Sequence, residues 1–188
     1  MKTHLTRGMI VVLVLGSLGL VWTLVNAGSS EERVAGPWAN AKVGDYLKVD
    51  TLFQDAFGTL DVDVQQTVTA ADEKTVTVKT LRSAKGKNTK ETSNTHQRLI
   101  TREEYNKLIA PLGQKQSTLK YALGKLEVNA EEYNSKTTNP DDSGTYYTTA
   151  TIISRDVPSW ILRVTRTWYS KGDRKGTKVL YEIKEFRR

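Results

Sequence analysis

Side chains able to do chemistry are sparse in this chain. Its 188 residues include no cysteine and two histidines, His4 and His96. Without cysteine there is no thiol catalysis, no thiolate metal site and no disulfide framework. His96 lies between Thr95 and Gln97 in a polar stretch, and no Gly-x-Ser-x-Gly elbow accompanies it. The base–nucleophile pairing of a serine hydrolase is therefore missing, and one histidine is too few for a tetrahedral zinc site. His96 reads as an exposed strand histidine. Asp61 and Asp63, two apart, point to one face of a strand, where they could share a cation or act as acid and base. Glycosidase chemistry places its two carboxyls across a cleft, so a solvated strand face is the expectation here. Asn139–Gly144 offers oxygen ligands but lacks the spacing and terminal Glu of an EF-hand, and Asn-Pro followed by Asp and Gly is turn chemistry. There is no Gly-rich phosphate loop. The sequence reads as non-enzymatic, with no cofactor and no metal.

Charge is more informative. The chain carries a net charge of +7. Ten of its Lys and Arg residues fall between Arg155 and Arg188, against four acids, while residues 28–154 are close to neutral. Arg163, Arg174, Lys175, Lys178, Arg187 and Arg188 are the candidates for contact with an anionic surface, whether lipid headgroups, an acidic polymer or an acidic protein. The plain alternative is a hairpin made basic for solubility. Trp168, Tyr169 and Tyr181 lie among these cations, a composition that can stack bases and hold phosphates. An exported protein seldom meets nucleic acid, so that partner is not expected.

Export is read from the N-terminus. Lys2 and Arg7 precede an apolar run from Met9 to Val25, and Val25-Asn26-Ala27 supplies a cleavage-site pattern. The run is long for a cleaved signal's core, about 7–15 residues, and short for a spanning helix, about 20. Residues 1–27 are thus a signal peptide or an N-terminal membrane anchor. Both readings put the rest of the chain outside the cytoplasm, periplasmic or secreted. Residues 28–42 read as a linker, with Trp38 docking on the domain, and residues 43–188 as one β-rich domain.

The elements that must position these residues follow a period of two. Strands are expected over Asp45–Thr51, Gly58–Ala70, Thr75–Arg82 and a polar stretch reaching Ile100. Thr101-Arg102-Glu103-Glu104 is a capping box opening a short helix that Pro111 and Gly113 end. Further strands are expected over Lys125–Val128, Glu131–Thr138 and Thr145–Ser154. A hairpin of Ile161–Tyr169 and Lys178–Phe186 closes the domain. The fold class is mainly β: a curved antiparallel sheet or half-open barrel of about nine strands with one helix. Its concave face would carry Leu60, Val62, Val64, Val76, Val78 and Tyr181 as the apolar ligand-binding candidates, joined by Val179 and Ile183.

One segment is similar to a known type. Ile153-Ser154-Arg155-Asp156-Val157-Pro158-Ser159-Trp160-Ile161-Leu162-Arg163-Val164, with Val43-Gly44-Asp45-Tyr46 upstream, resembles small secreted bacterial β-domains. Their general look is that of the half-open barrels of periplasmic lipoprotein carriers (LolA/LolB-like). Trp160 departs from the pattern, which favours glycine near that turn. The resemblance implies the curved sheet and brings no catalytic residues. The expected function is an envelope or secreted protein that binds an apolar ligand or a protein partner. The alternative is a membrane-anchored assembly factor whose basic C-terminal hairpin touches acidic headgroups or an acidic subunit.

Overall fold

Alternating apolar and polar residues build a mainly β structure. The computed structural model describes residues 31–55, 58–84, 89–139 and 142–188; Met1–Ala27, read above as a signal peptide or anchor, lies outside them. The strands are β1 (Arg33–Ala35), β2 (Tyr46–Asp55), β3 (Gly58–Ala71), β4 (Thr75–Ala84), β5 (Lys90–Gln97), β6 (Leu99–Thr101), β7 (Gln114–Leu123), β8 (Leu126–Asn139), β9 (Asp142–Ile153), β10 (Ile161–Ser170) and β11 (Asp173–Arg187). One helix, α1 (Arg102–Ile109), and a single 3-10 turn (Ala110–Leu112) interrupt them.

Nine strands form one antiparallel sheet in the order β5-β4-β3-β2-β11-β10-β9-β8-β7, and β1 with β6 forms a two-stranded sheet. The large sheet is two meanders, β2–β5 and β7–β11, joined at the β2–β11 ladder. It is an open sheet with β5 and β7 at its edges. The edges carry charged and polar residues such as Lys90, Glu91, Lys115 and Lys120, which discourage pairing with another chain.

The expected strands and the capping box are present: the Thr101 hydroxyl accepts from the Glu104 amide at 3.1 Å and the Glu104 carboxylate from the Thr101 amide at 2.9 Å. Five expectations are corrected. The polar stretch reaching Ile100 is two strands, β5 and β6, which belong to different sheets. Lys125–Val128 and Glu131–Thr138 belong to one continuous strand, β8, and β7 precedes it where no strand was expected. The β7 sequence, Gln-Lys-Gln-Ser-Thr-Leu-Lys-Tyr, buries so little that it lacks an alternating signal. The closing hairpin turns on Lys171 and Gly172 alone, both with positive φ (51° and 86°), as a two-residue turn between twisted strands requires. The segment read as a linker is folded in: Arg33–Ala35 pair with β6, and Trp38 and Ala41 are buried.

That N-terminal segment is clamped by Arg98. Its guanidinium donates to the carbonyls of Ala39 and Ala41 (2.9 Å to the latter) and of Asp72 (2.6 Å). The main core gathers Leu47, Val49, Val62, Val64, Val68, Val76 and Val78 from the first meander, and Leu123, Val128, Ala130, Leu162 and Ile183 from the second. A smaller cluster of Tyr133, Ile153 and Trp160 lies under α1, with Tyr105 and Ile109 packed against it. Ser159 and Trp160 both adopt positive φ (67° and 62°), so this turn is held in a left-handed conformation by two residues larger than glycine. The Ser159 amide donates to the Pro37 carbonyl and the Ser154 amide to the Trp160 carbonyl, which fixes that geometry.

Candidate binding surface

Most of the described apolar candidates are closed into the core. Val62, Val64, Val76 and Val78 are core residues, the last two essentially out of solvent. Tyr181 packs against the same core, where burial pushes its phenol pKa up. The Leu60 side chain lies outside those described. Val179 does not share a face with Tyr181 as expected: Val164 pairs with Tyr181 and Thr165 with Val179, so Leu180 is bulged and the alternation inverts there.

A cleft of about 410 Å³ opens instead on a polar part of the sheet, lined by Asp50, Asp61, Asp63, Glu182 and Lys184 with Thr51, Leu52, Val62 and Val179. Asp63, Asp50, Glu182 and Arg163 stand opposite one another on β3, β2, β11 and β10. Like charges in register repel, and two cations offset them. Lys184 contacts Glu182 and lies 3.9 Å from Asp50, while Arg163 lies 3.7 Å from Glu182. The hydrogen bond to Glu182 holds the Lys184 ammonium above its ordinary pKa. Asp61 and Asp63 are exposed, as expected, and no group of three metal-ligating side chains forms among the described residues. His96 is half-buried rather than exposed: its ring stacks on Trp38 at 5.3 Å between centroids, and burial lowers its pKa.

The six basic candidates do not form one patch. Arg174, Lys175 and Lys178 lie near the β10–β11 turn; Arg187 and Arg188 lie at the other end of β11, about 30–45 Å away along an extended strand. Arg187 is paired with Glu185 at 2.5 Å and stands over the Tyr46 ring. Arg188 reaches the Asn40 carbonyl and the buried Asp45 carboxylate. These two residues fasten the end of the chain to the entry of β2.

The turn end of the sheet has a different character. From Asn134 to Thr149 and from Thr165 to Lys178 the sequence holds no Val, Leu, Ile, Met or Ala. Threonine, tyrosine and tryptophan sustain the strands there, and both faces of β8–β11 are at least partly exposed. On one face the aromatic and basic groups are mutually engaged. Tyr146 and Tyr169 stack at 4.7 Å with an 8° tilt, and the Lys136 ammonium sits 4.1 Å above Tyr146. Thr167 and Thr177 share a 2.9 Å hydrogen bond, and Arg174 donates to the Thr177 hydroxyl at 2.6 Å.

The opposite face is composed of two rungs, Ser135–Thr149–Arg166–Lys178 and Thr137–Tyr147–Trp168–Gly176. Arg166 stands 4.2 Å over the Tyr147 ring, and its Nε is shielded from solvent without a hydrogen-bond partner. Lys178, directly opposite Arg166, is exposed, and neither cation has an ion-pair partner among the described residues. Beside Trp168, no atom comes within 4 Å of the place a side chain on Gly176 would fill. Lys178 was legible as a basic candidate. Arg166, Gly176 and Tyr147 were missed because only the register shows that they share a face; the lack of aliphatic residues over both stretches was the signal available. No family model, no curated protein and no solved structure matches the chain.

Proposed function

We propose that this chain is an extracytoplasmic, non-enzymatic binding protein that holds an acidic partner on the aliphatic-free end of its sheet. The observation that carries the reading is the cross-strand pair Arg166–Lys178: two like charges in register, with no ion-pair partner to offset them among the described residues. Like charges directly opposite are unfavourable in a sheet, and an acidic partner removes that penalty on binding. The export pattern of Met1–Ala27 supports the location. An apolar ligand has less support, since its candidate residues are closed into the core. A basic hairpin lying flat on headgroups also has less, since Arg187 and Arg188 are engaged at the far end of β11.

The test separates placement of charge from amount of charge. One variant replaces Arg166 and Lys178 with Gln; a control replaces Lys79 and Lys107, so both lose the same charge. Binding to a panel of a polyuronate, anionic vesicles and single-stranded DNA is measured over a salt series. Loss in the first variant with retention in the control supports the reading. Equal loss in both, or no binding by the unaltered protein, sinks it. N-terminal sequencing of the exported protein shows whether residues 1–27 are removed; material recovered only from the cytoplasm would overturn the location.

A further inference from the structure

Resting on that reading, the geometry points to an acidic polysaccharide as the partner and to the Arg166–Trp168 face of β10 as its site, with a uronate carboxylate between Arg166 and Lys178 and a pyranose ring on Trp168 above Gly176. The two cations occupy one rung on neighbouring strands, so one anion can be shared between them. Arginine's planar fork suits a carboxylate, and lysine adds a point charge beside it. Arg166 enters this role already oriented, its guanidinium held over Tyr147 at 4.2 Å.

The next rung supplies the second half of the site. Trp168 presents an aromatic surface, and the glycine opposite leaves open the space that any other residue would occupy. A flat, weakly polar sugar face fits against an indole in such a space. Strand residues two apart lie about 6.7 Å from each other, so the ring on Trp168 and the anion at Arg166 are placed for one saccharide or for neighbours in a chain. Ser135 and Thr149, on the same rung as the cations, offer hydroxyls that both donate and accept, matching sugar hydroxyls.

The surroundings of the charge favour a polysaccharide over a nucleic acid. A phosphodiester chain is held by a run of cations, whereas these rungs set two cations beside the hydroxyls of Ser135 and Thr149, which match sugar hydroxyls. The engaged opposite face is the internal control, because Lys136 and Arg174 there already have partners.

The experiment is titration calorimetry of the full chain with alginate at low ionic strength, with neutral pullulan and single-stranded DNA as comparison polymers. Arg166→Gln with Lys178→Gln is expected to weaken alginate binding about a hundredfold, two charge-assisted contacts being lost. Trp168→Ala and Gly176→Val are expected to weaken it about tenfold each. Gly176→Val changes no charge and suits a strand, so its loss of binding cannot be a folding or net-charge effect. Lys136→Gln with Arg174→Gln should leave binding within about twofold, at the level of a screened surface charge. Tighter binding of DNA than of alginate overturns the ligand class. Full binding by Gly176→Val and by the Arg166/Lys178 variant, with loss in the Lys136/Arg174 variant, overturns the site while an acidic partner stands. No binding to any of the polymers overturns both.

Discussion

The two ends of the large sheet use the same backbone pattern for opposite purposes. At one end, Leu47, Val49, Val76, Val78 and Leu162 are withdrawn from water and hold the strands together by burial. At the other, the same ladders continue through Tyr146, Tyr147, Thr167 and Trp168 with both faces wet. The second end is sustained by cross-strand contacts: stacked tyrosines, threonine hydroxyls in register and cations over rings. Those contacts are individually small. A stretch that gives up burial in this way keeps its side chains available to a partner.

Substitutions should expose this division. The largest effect is expected at the closed end, where Leu162→Ala removes a fully buried side chain and should lower stability by about 2–5 kcal/mol in a denaturant titration. A loss near that of a surface change would mean the two ends are not held differently. Next comes Gly113→Ala. Gly113 has φ of 85°, and an added Cβ would lie 2.2 Å from the Asn134 carbonyl oxygen, so β8 must shift; about 1–3 kcal/mol is expected. At the open end, Tyr146→Ala should cost about 1 kcal/mol through its lost stack.

Acid should discriminate the ends as well. His96, packed on Trp38, has a pKa below its ordinary value of 6.5 because burial disfavours the imidazolium. The unfolded chain then binds the proton more readily than the folded one, so stability from this site is complete above pH 6.5 and falls as pH drops from there towards the lowered folded value. A His96→Phe variant should lose that slope, and an unchanged slope would place the sensitivity elsewhere. Trp168→Ala should move stability least, by less than about 0.5 kcal/mol, despite its expected effect on binding.

The sequence was a good guide to strands with one dry face. Gly58–Ala71 alternates because Val62, Val64 and Val68 are buried while Asp61 and Asp63 are not, and its bounds follow from that pattern. The helix was legible from Thr101 and Glu104, whose reciprocal bonds form as their spacing implies. β7 escaped because it buries only Leu123 fully. The inversion at Leu180 escaped because a bulge is a property of two strands, and Val179 alone reads as one more inward valine. The binding surface was legible in composition but not in position. Charge counting joined Arg174 to Arg188 as one patch, whereas the strand's length separates them, and Arg166 becomes a partner of Lys178 only through the register.

The ladder between β2 and β11 has a kinetic meaning. Each meander is made of neighbours in sequence and closes its loops at small entropic cost, while β2 and β11 bring together the two ends of the folded region. The first meander, emerging first during synthesis, therefore waits with β2 as an open edge until β11 arrives. An unpaired strand in that interval is a template for a second copy of the chain. Asp50, facing Asp63 across the β2–β3 ladder, charges that edge with acid; β11 adds Glu182 opposite Asp50 when it docks, and Lys184 beside them offsets the row. Carboxylates in register make that edge a poorer template for a second acidic strand.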